Sequence, residues 1–262
     1  PTPTPTPVPD RARASLRRTW SLARAEVLLL RRNRTLLFSA TLLPVGLVAL
    51  LAAVGGDRLR TPNGAAALVS TLTGVLLLLV VFGTVLSTAV ARREGGVLQR
   101  LRTGECSDAE VLVALCAPPV VLAAAQGVVL TTAAVLALGV ALPGAPLVAL
   151  AGLLLGAVVF CLVGLLTAAW TRTVESAQLT SLPVLGLCLL GGGFVVPLDG
   201  MSPALAALAG VTPLAPVLEL VRAGWSGALD AKDVGGQVLT CGAWVLVGGA
   251  GVVRWFRWSP RP

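Results

Sequence analysis

From Val111 to Thr171 the chain runs for 61 residues without a charged side chain, and a second uncharged run of 31 residues extends from Thr61 to Ala91. Between them lies ARREGGVLQRLRTGECSDAEV, which carries Arg92, Arg93, Glu94, Arg100, Arg102, Glu105, Asp108 and Glu110. A helix needs roughly 20 consecutive apolar residues to cross a bilayer. The uncharged runs therefore read as spans, and the charged stretch has to sit outside the hydrocarbon. At helical spacing Val97, Leu98 and Leu101 share one face, while Arg93, Arg100 and Arg102 are available to water. The pattern predicts a short amphipathic helix slung between two spans, a shape suited to docking on a partner.

The remaining uncharged runs extend this reading along the chain. Thr35 to Gly56 is 22 residues, one crossing. The long run is too long for one helix, and LPGAP at Leu142 to Pro146 breaks it into a hairpin of two crossings. The expected spans are 35–56, 64–91, 111–141, 146–171, 176–198 and 234–253, within a six-span unit over 35–258. Gly200 to Leu218 is also uncharged, but Pro203, Pro213 and Pro216 spoil a continuous helix. Irregular backbone at membrane depth is tolerated only where protein or water satisfies it, so this segment reads as a shallow re-entrant or interfacial helical hairpin. The overall fold class is an all-α polytopic membrane protein.

The chain ends are polar. PTPTPTPVP forbids helix and ladder alike, so residues 1–10 read as an extended tail. Residues 11–34 hold eight arginines among Leu16, Trp20, Leu22, Val27 and Leu28, the composition of an interfacial helix lying flat on the membrane. With six spans, 16 of the 20 basic residues fall on one side and 4 on the other. The positive-inside rule then makes both termini, the 259–262 tail and the 92–110 helix cytoplasmic. Trp255 and Trp258 suit an interfacial aromatic belt at the end of the last span. In this setting the net charge of +8 is explained by orientation and anionic lipid rather than by nucleic acid.

Much chemistry is excluded. A phosphate-cradling loop ends in Lys-Ser/Thr, whereas the lone lysine, Lys232, is followed by Asp233. The GGG at Gly191 to Gly193 lies in an apolar run and reads as close helix packing. The chain has no histidine, and its five cysteines form no CxxC pair, so neither a metal site nor a histidine-based catalytic set is expected. The chain is not expected to be an enzyme or to hold a cofactor. No charge lies clearly within a span, which disfavours an ion-driven carrier. Gln126 is the amide to watch in mid-span, either as interhelical glue or as a position on a substrate path. Glu219 and Arg222 are three apart and fall on one helical face, where they can pair.

REGGVLQRLR, Arg93 to Arg102, resembles the first cytoplasmic loop of the permease subunit of bacterial type-2 ATP-binding-cassette exporters, where a helix of the form R-E-x-G-T-L-x-R-L-R occurs. That group includes daunorubicin-resistance permeases and polysaccharide and lipid exporters. GGGFVVPLDGMSPALAALAGVTPLAPVLELVRA, Gly191 to Ala223, is similar to the family's outer segment, with its Phe-x-x-Pro, a later Thr-Pro-Leu, and a Glu before an Arg. The likeness runs from about Ser15 to Arg257. It implies a permease of the bacterial plasma membrane that works with a separate ABC ATPase, which binds the ATP, and with a second permease copy, either identical or a paralogue. By the same resemblance Arg93, Glu94, Val97, Leu98, Arg100 and Leu101 belong to an ATPase-coupling helix, with the apolar three forming a ridge inserted into the ATPase. Pro197, Pro213, Glu219 and Arg222 shape an outer gate. An ion-driven carrier or channel and a membrane scaffold protein are the competing readings.

Overall fold

The computed structural model describes residues 46, 60–102, 107–194 and 202–259, and these are entirely helical apart from turns. The tail at 1–10, the interfacial helix at 11–34, the span at 35–56 apart from Gly46, and Pro197 lie outside the described residues.

Helix α1 runs from Pro62 to Glu94. It is started by Thr61, whose hydroxyl accepts from the Gly64 amide at 3.1 Å, with Pro62 in the first turn where a missing N–H costs nothing. At 1.5 Å per residue it is about 50 Å long, well beyond the roughly 30 Å of bilayer hydrocarbon. Its centre, Leu76–Phe82, is a π-helical segment of seven apolar residues. This helix is the hub of the fold: 78% of its most apolar stretch is buried, against 17% for the span at Val174–Gly191.

The charged stretch is not one helix over 92–110. Helix α1 claims Arg92, Arg93 and Glu94 in its last turn, and the chain reverses through Gly95 and Gly96. Gly96 adopts φ +67°, a left-handed conformation that costs a side-chain-bearing residue. Helix α2 is only Val97–Arg102, and residues 103–106 lie outside the described residues. Asp108 and Glu110 belong to the first turn of the next span, α3 (Asp108–Leu138). Ser107 and Glu110 form a reciprocal capping box there, with Glu110 Oε2 accepting from the Ser107 amide at 2.7 Å.

Helix α3 passes through Pro118 and Pro119 and ends at Leu138 on a left-handed Gly139. Helix α4 (Pro146–Trp170) returns. Helix α5 (Val174–Gly191) starts on a Thr173–Ser176 capping box and stops short of the expected 198. The proline-rich stretch forms α6 (Pro203–Gly210) and α7 (Ala215–Ser226), bent by 84° at the break between them. Helix α8 (Ala231–Trp255) completes the described bundle. Among the described residues five helices, α1, α3, α4, α5 and α8, are long and apolar enough to cross a membrane, and the bent α6–α7 pair makes a sixth if it is counted as one span.

Helix α7 packs against α4 and α1, α8 against α4, and α3 against the π segment of α1. Small residues permit the closest approaches. A Cβ built on Gly156 of α4 would stand 2.6 Å from Val217 Cγ1, and one on Gly152 would stand 2.9 Å from Leu220 Cβ. The α3–α4 hairpin is pinned to the end of α7 by Gly144 and Ala145, whose amides donate to the carbonyls of Trp225 (3.1 Å) and Gly224 (2.8 Å). The Trp225 indole donates back to the Ala141 carbonyl at 2.8 Å.

Candidate functional site

Every charged residue among the described ones falls toward one of two ends of the bundle. One end gathers the ends of α1, α4 and α8, the short α2, and the starts of α3 and α5. Its cross-links are Arg93 to the last carbonyls of α4, Glu94 to the first turn of α5, and Trp170 against Trp255 with ring centroids 5.7 Å apart. This end carries Arg92, Arg93, Arg100, Arg102, Arg172, Arg254 and Arg257. The opposite end gathers the α3–α4 hairpin, the end of α7 and the start of α8, and carries Arg60, Arg222 and Lys232.

At the first end the geometry revises two expectations. Arg93 does not face water: it is 1% exposed and its guanidinium donates to the Ala168 carbonyl at 2.7 Å, to the Thr171 carbonyl, and to the Arg172 carbonyl at 3.5 Å. An arginine buried at a helix C-terminus meets carbonyls that have no intrahelical donors, a partner that helical spacing within α1 does not reveal. Leu98 is likewise 1% exposed, built into the chain's own core, and Leu101 packs partly against that core. The apolar face of α2 thus turns inward, Val97 is half-buried, and the residues α2 offers outward are Gln99, Arg100 and Arg102. Arg102 pairs with Asp108 at 3.5 Å and lies over the Trp258 ring at 5.6 Å, tying α2 to α3 and to the chain after α8.

At the opposite end the expected pair is present. Arg222 Nη1 donates to Glu219 Oε1 at 2.7 Å, and Arg222 Nε donates to the Ser70 hydroxyl at 3.1 Å, which binds α7 to α1. Sequence reasoning does not single out Ser70, because nothing in a span's own pattern says which hydroxyl will face an arginine 152 positions away. The pair borders a cavity of about 500 Å³ that Asn63, Asp230, Asp233 and Gln237 also line.

Pro213 lies in the break between α6 and α7. The break lies level with the midpoints of α4 and α8, deeper in the bundle than the shallow hairpin expected from the sequence: Val217, two residues into α7, packs on Gly156 near the midpoint of α4, and Trp244, near the midpoint of α8, reaches Val211. Freed backbone groups at that depth need internal partners. The Trp244 indole donates to the Val211 carbonyl at 2.8 Å, and the buried Thr212 hydroxyl donates to the Ala209 carbonyl at 2.8 Å. Trp244 is the residue that span-by-span reading misses; its signal is a polar indole N–H in the middle of an apolar run, which must find an acceptor.

Gln126 is buried on α3, next to Gly127, which faces Leu76 of the π segment. A separate apolar groove of about 590 Å³ runs between α3, α4 and α8, lined by Leu112, Cys116, Val120, Leu154, Cys161 and Val252 among others. Gln126 does not line it. The residues of the charged segment, the Glu219–Arg222 pair and Gln126 therefore occupy separate regions rather than one pocket.

A comparison with curated proteins finds no match. The family model described as ABC-2 type transporter matches residues 17–225, from the segment before the first expected span to the last turn of α7. A membrane domain of this kind is not catalytic and acts with an ATPase. Long apolar helices, charge confined to the two ends and a match over most of the chain converge: the chain belongs to the ABC-2 type transporter family and is the multi-pass transmembrane permease of an ABC-type transporter.

Proposed function

We propose that this permease works as an exporter of the bacterial plasma membrane, moving a drug-like, lipid or glycan substrate outward, with two permease copies, identical or paralogous, joined to two ATPase subunits. The observation that carries the reading is the charge asymmetry: among the described residues seven arginines gather at the end that holds α2, against three basic residues at the end that holds the Glu219–Arg222 pair. By the positive-inside rule the α2 end is cytoplasmic, as are both termini, and α2 is then the element an ATPase meets. Six spans, with the first at 35–56 after an interfacial helix, follow from this orientation. The α6–α7 hairpin becomes the outer closure, with Pro197, Pro213, Glu219 and Arg222 shaping its gate and Gln126 on the substrate path. The likeness of REGGVLQRLR and of the Gly191 to Ala223 segment to daunorubicin-resistance-type permeases supports export over import. ATP is bound by the partner, and this chain holds no cofactor.

The test is coexpression with candidate ABC ATPase subunits from the same genome, followed by uptake of a lipophilic dye into inside-out vesicles. The expected result is a copurifying ATPase and uptake that requires ATP. Uptake driven by an ion gradient without the ATPase would replace this reading with a carrier. Failure to recruit any ATPase would replace it with a scaffold.

A further inference from the structure

At the basic end two adjacent side chains of α1 reach the ends of two other helices. Arg93 places its guanidinium on the carbonyls of Ala168, Thr171 and Arg172. Helix α4 ends at Trp170, so Ala168 belongs to its last turn, whose carbonyls have no intrahelical donors, and Thr171 and Arg172 are the first two residues beyond it. A planar fork with five donors suits several acceptors at once, and its charge suits the negative end of the helix dipole. Glu94 Oε2 accepts from the amide of Val174, the first residue of α5, at 3.4 Å, so a carboxylate meets the positive end of that helix. One dipeptide therefore clasps both sides of the turn between α4 and α5. The turn is itself tied inward: Thr171 is fully buried, and its hydroxyl lies 2.7 Å from that of Thr180 on α5.

The position of the clasp in the chain gives it a consequence. Three residues beyond Glu94 α2 begins, so the clasp is the last fixed point of α1 before the segment that meets the ATPase. Burying a guanidinium is costly unless its donors are satisfied. Pulling the α1–α2 corner away from the turn would strand the guanidinium and the carbonyls together, and the two move separately only at high cost. We infer that Arg93 and Glu94 are positioning residues that join the α1–α2 corner and the α4–α5 turn into one rigid body. A push on α2 then reaches α4 and α5 at the same moment as α1. The inference rests on the reading of α2 as the coupling element.

The experiment uses the permease–ATPase complex in lipid nanodiscs, with the chain's five cysteines replaced by alanine and spin labels attached at Gln99→Cys and Glu175→Cys, both exposed positions. Pulsed dipolar spectroscopy is recorded without nucleotide and in the ATP–vanadate-trapped state. With the labels carried by one permease copy only, the expected result is one distance peak, unchanged between the two states. Adding Arg93→Ala should make the distance nucleotide-dependent, Arg93→Lys should restore part of the constancy, and Glu94→Gln should broaden the peak. A purely structural Arg93 would lower the yield or melting temperature of the complex without making the distance respond to nucleotide, and that outcome overturns the inference. So does a wild-type peak that shifts on trapping, a measurement that needs no clasp variant to fold. A second label pair, from Gln99 to the ATPase surface, judges the coupling reading separately: a Gln99 far from the ATPase in both states sinks that reading, while the 99–175 distance still reports on the rigid body.

Discussion

Neighbouring residues of α2 have opposite fates: Leu98 is enclosed by the chain's own helices, while Gln99 and Arg100 are exposed. Removing a buried leucine side chain costs the lost contacts plus the cavity, typically about 2–5 kcal/mol. Leu98→Ala should therefore lower the melting temperature of the detergent-solubilised permease without its ATPase present. Arg100→Glu, at an exposed position, should move that temperature much less, because exposed charges contribute only about 0–1 kcal/mol, and should reduce the amount of ATPase that copurifies. Equal loss of ATPase from Leu98→Ala at full permease stability would return the apolar ridge to the interface. The Glu219–Arg222 pair calls for a different expectation. Its side chains are 42% and 34% exposed, and pairs so open to solvent contribute only about 0–1 kcal/mol. Glu219→Arg should barely move the melting temperature yet impair export, and Glu219→Arg with Arg222→Glu should partly restore export, since a carboxylate at 222 can still accept from the Ser70 hydroxyl. Absence of any recovery in the double variant would show that the pair is not what the gate needs.

Among the elements, the α6–α7 break depends most on distant contacts. The break at Val211 to Leu214 is held by an indole from α8, so Trp244→Phe keeps the ring and removes the donor to the Val211 carbonyl. The bond lies at an exposed position, where a hydrogen bond contributes about 0.5–1.5 kcal/mol, and the loss should be read as faster proteolytic nicking between Ala209 and Leu214 in the variant than in the parent chain. Unchanged nicking would mean that other groups satisfy the carbonyl. The packing of α7 on α4 makes a sharper demand. A Cβ on Gly224 would overlap the backbone of Ala149, which has no side chain to swing aside, whereas a Cβ on Gly186 of α5 meets nothing within 4 Å. Gly224→Ala should thus destabilise by about 1–3 kcal/mol, as overpacking does. Gly186→Ala should be neutral or slightly stabilising, because alanine is the better helix former by up to about 1 kcal/mol. Thermal unfolding of the two variants side by side checks both, and equal melting temperatures would refute the close approach of α4 and α7.

For the whole molecule the decisive quantity is the distribution of charge between the two ends, and it makes a topological prediction. Single cysteines at Gln99 and Ser259 should be shielded from an impermeant maleimide in intact cells, and those at Asn63 and Ala228 should be labelled. The reverse pattern would invert the protein in the membrane and place α2 outside. The sequence by itself determined the class of the molecule, and among the described residues its long uncharged runs lie on long helices, because uncharged runs and their lengths follow from the cost of carrying charge into hydrocarbon. The pairing of Glu219 with Arg222 was legible for a related reason, being a local contact set by helical spacing. Tertiary structure decided what local periodicity cannot encode. It turned the apolar face of α2 inward, and gave Arg93 the carbonyls at the end of α4 and Trp244 the broken backbone before α7. In each case the partner lies on another helix, and only the packing of α1, α4, α7 and α8 against one another determines which polar group finds which acceptor.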